Sequence, residues 1–429
     1  MEEAKPPRHL LLFVGMIVFV DMAGIGLITP VMPSLVMGLT GATIDRAAEI
    51  GGWLFFCYAT MQFLFAPVIG GLSDRFGRRP VLLVTLAALG IDYALMAWAP
   101  TLGWLVAGRL ISGVMGATFA AANSCVADVV PPGERGRAFG MLGGAGAAGF
   151  VLGPTLGGLL GHFGDRVPFV AASMLVLAGA LFGWFVLQET LPVERRRAFT
   201  PARANPIGSL IQMRRAPLVI GCLAAGFLMQ LASQAQLSVW AYQGIARFGW
   251  SIVTIGLTIT LFGILMVAVQ GFGSGIAIRR FGPVRTALGS LGFGVISYLM
   301  LAFAPSTAVI VAALVVGAIP GVAFPAMQQL MTARVAEDQQ GELQGAIASV
   351  ISLTAILGPP LMTGVFGAFA DGEGLYFPGA PFLLSAGIIA LGVAVLGITL
   401  RRFGGSGEAV SSHRLSAAGT APDTSRAAG

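Results

Sequence analysis

The feature that most constrains this chain is a recurrence. Mostly apolar stretches follow one another from Leu10 to about Leu400. Each holds about 20 residues, enough for a helix to cross a hydrocarbon core roughly 30 Å thick. Charged residues are 10% of the 429 positions, against roughly 25% in an ordinary soluble domain, so a soluble fold is excluded. Within lipid the backbone must satisfy its own hydrogen bonds, which makes each stretch a helix. Spans are expected near 9–33, 48–70, 81–99, 101–125, 138–162, 167–188, 216–240, 251–277, 286–304, 307–331, 343–369 and 378–400. The expected fold is therefore all-α and integral to the membrane, with 12 transmembrane helices.

The first stretch follows Lys5 and Arg8 as a signal peptide would, but it is long, contains Asp21 and lacks a small-x-small cleavage site. It reads as a retained first span. Cys57, Cys125 and Cys222 each lie inside an apolar stretch without metal-like or paired spacing and read as packing residues.

A formal charge of +6 invites a polyanionic partner, but its placement explains it differently. If the spans alternate, the side bearing the amino terminus receives most of the basic residues, including Arg75, Arg78, Arg79, Arg135, Arg137, Arg195 to Arg197, Arg279, Arg280, Arg401 and Arg402. The other side receives only Arg46, Arg166 and Arg247. Basic residues are retained in the cytoplasm, so both termini are expected there, in a multi-pass protein of the inner (cytoplasmic) membrane with the lipid bilayer and no nucleic acid as partner.

The chain also repeats itself. Arg75-Phe76-Gly77 returns as Arg280-Phe281-Gly282, and Leu152-Gly153-Pro154 as Leu357-Gly358-Pro359. Phe76 and Phe281, Gly140 and Gly345, and Gly153 and Gly358 all differ by 205 positions. A constant offset at three places indicates a duplicated six-helix unit, and an even number of spans gives two parallel halves, one of the established transporter plans. The expected organisation is an N-terminal bundle over 1–188, an Arg- and Pro-rich cytoplasmic linker over 189–215, a C-terminal bundle over 216–402 and a disordered tail over 403–429.

Three ionisable residues fall inside spans: Asp21 in the first, Asp92 in the third and Arg109 in the fourth. At the bilayer centre each costs roughly 2.5 to 3.5 kcal/mol on insertion scales, so each asks for a role in proton or solute movement or for a partner on a neighbouring helix. Amides form a second set: Gln62, Asn123, Gln230, Gln234, Gln236, Gln270, Gln328 and Gln329. They suit either interhelical hydrogen bonds or contacts to a polar solute. Gln230 and Gln234, spaced i, i+4, are expected to share a face.

Gly70-Gly71-Leu72-Ser73-Asp74-Arg75-Phe76-Gly77-Arg78-Arg79-Pro80, placed in the loop between spans two and three, closely resembles the signature loop of the major facilitator superfamily. Gly149 to Gly158 resembles its antiporter motif, and Arg109-Leu110-Ile111-Ser112-Gly113 its proton-coupling motif. Asp21-Met22-Ala23-Gly24, Met61-Gln62, Asp92-Tyr93, Met229-Gln230-Leu231 and Gly341-Glu342-Leu343-Gln344-Gly345 extend the likeness to the drug:proton antiporters typified by tetracycline efflux proteins. The resemblance implies proton coupling through Asp21, Asp92 and Arg109, and substrate contacts from Gln62, Asn123, Gln230 and Gln234. It implies a conformational switch of Gly70, Asp74, Arg75, Gly77, Arg78, Arg79, Asp128 and Arg137, and an antiporter motif of Gly149, Gly153, Pro154, Gly157 and Gly158.

The activity so implied is proton-driven export of an amphipathic small molecule, tetracycline first, by a monomer with no cofactor or metal site. Tetracycline itself would travel as a divalent-metal chelate. One departure stands out: tetracycline exporters often carry an aspartate in the ninth span, yet Leu288 to Ala302 contains no acid. A proton-linked sugar or metabolite transporter and a transport-inactive receptor are the alternative readings. An enzyme finds no support, since His9, His162 and His413 show no metal spacing and no phosphate loop occurs.

Overall fold

The computed structural model describes residues 8–116, 118–131, 134–196, 216–336, 339–372 and 374–403. Among them there is no strand. The expected tail and most of the expected linker, 197–215, lie outside the described residues.

Twelve crossings follow one another. The first runs from Arg8–Ile28 through a short 3-10 turn, Thr29–Val31, into Met32–Thr40. The second is Ile44–Phe76, the third Arg78–Ala97, the fifth Arg135–Gly161 and the sixth Val167–Val186. The fourth is broken into Leu102–Met115 and Thr118–Val129, and the seventh into Pro217–Ser238 and Trp240–Phe248. A continuous 52-residue run, Ile252–Phe303, supplies spans eight and nine by folding back at Gly282. The tenth is Thr307–Ala318 and Ala323–Thr332 joined by a 3-10 turn, the eleventh Gln340–Ala370 and the twelfth Ala380–Phe403.

Several helices overrun the expected spans. Span two begins at Ile44 and ends at Phe76 rather than near 48 and 70, and span eleven covers Gln340–Ala370. Hydrophobicity marks only the part of a helix that sits in hydrocarbon. Hydrogen bonding carries the coil on through polar turns such as Asp45-Arg46 and Glu342.

The duplication is visible in the backbone. Gly77 turns span two into span three at φ 106°, and its counterpart Gly282 turns span eight into span nine at φ 75°. Both angles are open to glycine and costly for a residue with a Cβ. This also corrects the placement of the signature segment: Gly70 to Phe76 is the helical end of span two, Arg78 already opens span three, and Gly77 alone is the turn.

The first six spans pack on one another, as do the last six, and the halves meet mainly where span two lies along eleven and five along eight. These contacts are at the end carrying the 41–43 and 162–166 loops. A Cβ on Gly52 would strike the Thr363 hydroxyl and stand 3.1 Å from the Pro359 carbonyl. Thr155 donates to Thr260 (2.7 Å) and Thr260 to the Val151 carbonyl (2.6 Å) across the five–eight seam. At the opposite end, which bears both described chain ends, the halves part. Gly140 and Gly144 on span five and Gly275 beyond span eight's π turn face open space, and Phe272 is 77% exposed. The molecule is a cleft closed at one end.

Candidate functional site

Spans one to four bring a polar cluster into the interior of the first half. Asp21, Tyr58, Tyr93, Arg109 and Ser112 line one cavity of about 30 Å³, room for about one water. Asp21 is 2% exposed. Tyr93 reaches this cavity because Gly24, one turn after Asp21, has no side chain: a Cβ there would lie 3.0 Å from the ring. Arg109 turns into the bundle, its guanidinium 5.8 Å from the Tyr58 ring centroid and Nη2 donating to Met96 Sδ at 3.0 Å, so it is not snorkelling outward.

Asp92 is fully buried beside this cluster, and neither of its carboxylate oxygens has a hydrogen-bond partner. Only the bare Cα of Gly108 lets it approach the fourth span, because a Cβ at Gly108 would stand 3.0 Å from Oδ1. A carboxylate held this way is stable when it carries its proton or when a cation stands close by, and Arg109, the residue after Gly108, is the nearby cation. Gln62 donates to the Gly116 carbonyl (3.0 Å) at the break in span four and to the Tyr58 hydroxyl (3.3 Å). It belongs to this cluster and does not line the large cavity in the other half. Tyr58 escaped the sequence reading because an aromatic in an apolar span carries no signal of its own.

The second half holds a different site. A cavity of about 370 Å³ opens among spans seven to twelve, chiefly seven to ten, and Phe150 of span five also lines it. Gln230, Gln236 and Gln270 project into it between Trp240, Phe262 and Tyr298. Gln270 gets there from a π-helical turn, Val269–Gly273, a local bulge of the kind found at functional positions. Gln234 does not join Gln230: it is buried against Gly358 of span eleven, with Oε1 unpartnered. Asn123 does not line this cavity either. A shared helical face did not suffice, because at Gln234 the neighbouring span comes too close for a cavity.

At the open end, Arg78 is a hub. Its Nε binds Asp128 (3.0 Å), its Nη1 binds Asp74 (2.6 Å) and Ser73 (3.2 Å), and its backbone N–H donates to Glu189 (2.8 Å). Glu189 also accepts from the backbone of Thr190 and Leu191 and pairs with Arg196. In the sequence Glu189 stands out only as the first residue of the expected linker. Arg79 donates to the Trp184 carbonyl (2.7 Å), Arg75 lies over Phe76, Arg137 is exposed and Gly70 leaves open space where a Cβ would stand. So Asp74, Arg78 and Asp128 come together, whereas Gly70, Arg75 and Arg137 stay outside the network.

The span-five motif is a packing surface. A Cβ on Gly149 or Gly157 would strike the carbonyls of Phe19 or Leu27, and one on Gly153 would lie 2.8 Å from that of Ala23, all on span one. Gly158 faces the other way, where a Cβ would lie 2.9 Å from the Ile252 carbonyl of span eight. Pro154 abuts Gly26.

Twelve crossings around a one-ended cleft, with a buried charge cluster in one half and a cavity in the other, form the architecture of a membrane transporter. A model of the Major Facilitator Superfamily matches residues 14–359 and 232–417. The class C tetracycline resistance protein of Escherichia coli is 40% identical over 368 residues, 86% of this chain and 92% of that protein. The class G protein of Vibrio anguillarum is 38% identical over 83% of this chain and 90% of its own. Among solved structures, a bacterial homologue of the lysosomal transporter Spinster, inward-facing and occupied, superposes with a TM-score of 0.77 at 17% identity, covering 93% of this chain and 98% of that one. The chain belongs to the major facilitator superfamily, and within it to the family of the tetracycline resistance proteins.

Proposed function

We propose that the protein is a proton-coupled antiporter of the inner membrane that exports an amphipathic drug, tetracycline or a relative of it, by alternating access. The observation that carries this reading is the separation of the buried Asp21 and Asp92 and the half-buried Arg109, inside the first half, from an uncharged cavity of drug size in the second. The arginine asymmetry supports an orientation with the open end of the cleft in the cytoplasm, where a drug would enter.

In this state Asp74 is held locally by Arg78. When the cytoplasmic ends close, Asp74 is near enough to the turn to offer its charge to the positive amino end of a facing helix, an interaction available in one state only. Proton binding at Asp21 and Asp92 changes the charge that Arg109 must balance, and so changes which state is favoured. No cofactor is required; the proton gradient supplies the work, and a single chain contains every part.

The test is expression in a pump-deficient bacterium together with inverted vesicles. Raised tetracycline tolerance and tetracycline-dependent dissipation of an imposed pH gradient are expected. Gradient-linked sugar uptake with no change in drug tolerance would replace this reading with import. A reporter fused after Leu400 should be active only as a cytoplasmic fusion.

A further inference from the structure

We infer that the cavity of the second half takes a multi-ring aromatic ligand in electrically neutral form, held by three amides, and that it does not take a metal chelate or other net-charged species. The inference deepens the export reading and rests on it only for the identity of the drug. Its basis is what the cavity offers and what it lacks. Among the described lining residues none is an acid or a base. Span nine, where an aspartate is often found in tetracycline exporters, contributes Gly294, Ser297 and Tyr298 instead.

The small polar groups of the wall are already occupied. Ser297 donates to the Ala313 carbonyl (2.8 Å), Ser233 to that of Gln230 (2.7 Å), and Trp240 Nε1 to Thr258 (2.9 Å), which donates onward to the Ile255 carbonyl. That leaves the Tyr298 hydroxyl and the side chains of Gln230, Gln236 and Gln270, which make no hydrogen bond to the protein among the described residues. Each amide offers two donor hydrogens and an acceptor oxygen, which suits carbonyl, carboxamide and phenol groups that also donate or accept without a formal charge.

A charged guest would leave its hydration shell for rings and amides with no counter-ion. Ring faces attract a cation, but by less than the loss of that shell when the rest of the wall is apolar. The stem of Gln270 packs against Gly321, where a Cβ would lie 3.3 Å from its Cγ, and the π turn brings it to the cavity wall.

The experiment uses the purified full chain in nanodiscs and three fluorescent naphthalene probes of matched size: a neutral carboxamide, a quaternary ammonium and a sulfonate. The neutral probe should bind about tenfold or more tighter than either ion, and Gln270→Leu or Gln236→Leu should weaken it by about tenfold, one amide contact. Gln270→Glu should reverse the order in favour of the ammonium probe, a gain that a misfolded protein cannot give. Equal or tighter binding of the ammonium or sulfonate probe to the unaltered chain would overturn the inference.

Tetracycline is then titrated in EDTA and in excess Mg²⁺. Binding should persist in EDTA and fall as Mg²⁺ chelates the drug; a requirement for Mg²⁺ would likewise overturn the inference. The naphthalene pattern without tetracycline binding in either condition would instead remove tetracycline from the proposed function and leave the neutral-ligand cavity standing.

Discussion

Asp21 combines a short carboxylate, near-complete burial and a cavity the size of one water shared with Tyr58, Tyr93 and Arg109. Its place was legible from sequence, because an acid a dozen residues into an apolar span is costly enough to demand a reason. Its neighbours were not, since Tyr58 and the bare Cα of Gly24 reveal themselves only when helices are packed. Asp21→Asn keeps shape and hydrogen bonding but cannot exchange a proton. Drug accumulation driven by a pH gradient in inverted vesicles should fall to background, about a hundredfold below the unaltered chain if Asp21 is obligatory, while downhill counterflow continues. Equal accumulation at matched expression would pass the coupling role to Asp92.

At the scale of elements, the turn between spans two and three was legible as a motif but not as a network. The sequence shows an acid among arginines; it does not show that Arg78 alone gathers Asp74, Asp128, Ser73 and the start of the linker through Glu189. Long-range pairs such as 78 with 128 and 189 have no local periodicity to betray them. The planar guanidinium matters here, because it binds two carboxylates along different edges while an ammonium is a single point charge. Arg78→Ala should lower stability by about 1 to 3 kcal/mol, between the cost for exposed and for buried pairs because solvent still reaches Asp74 and Asp128, read as a lower melting temperature in detergent. Arg78→Lys should recover much of the stability but little of the transport. If Arg78→Lys transports normally, the fork geometry is irrelevant and only charge counts.

At the scale of the whole molecule, the 205-residue offset made the two parallel halves readable, and the structure bears out the shared turn at Gly77 and Gly282. Which end is closed was not readable, because it depends on how span two meets eleven and five meets eight, surfaces whose glycines look alike in sequence at both ends. The closed end is held by contact rather than charge. Gly51 lies against the Tyr242 hydroxyl, which is buried without a hydrogen-bond partner, and Gly52 against Thr363 and the Pro359 carbonyl. An unpartnered buried hydroxyl costs about 1 to 3 kcal/mol, so the seam is close but not deep in energy, as a gate that must reopen requires.

Opposite substitutions should therefore move the equilibrium in opposite directions. Gly52→Val forces side-chain atoms into a seam with no space, at a cost of about 1 to 3 kcal/mol, and should shift the population toward the state open at the far end by roughly tenfold. Tyr242→Phe keeps the ring and removes the stranded hydroxyl, and should favour the present state. Spin labels at Gly140 and Gly275, both in open space at the open end of the cleft, report the change as a distance. The separation should shorten in Gly52→Val and stay long in Tyr242→Phe, with Cys57, Cys125 and Cys222 first replaced by alanine. The same distance distribution in both variants would mean that the seam follows the motion and does not set it.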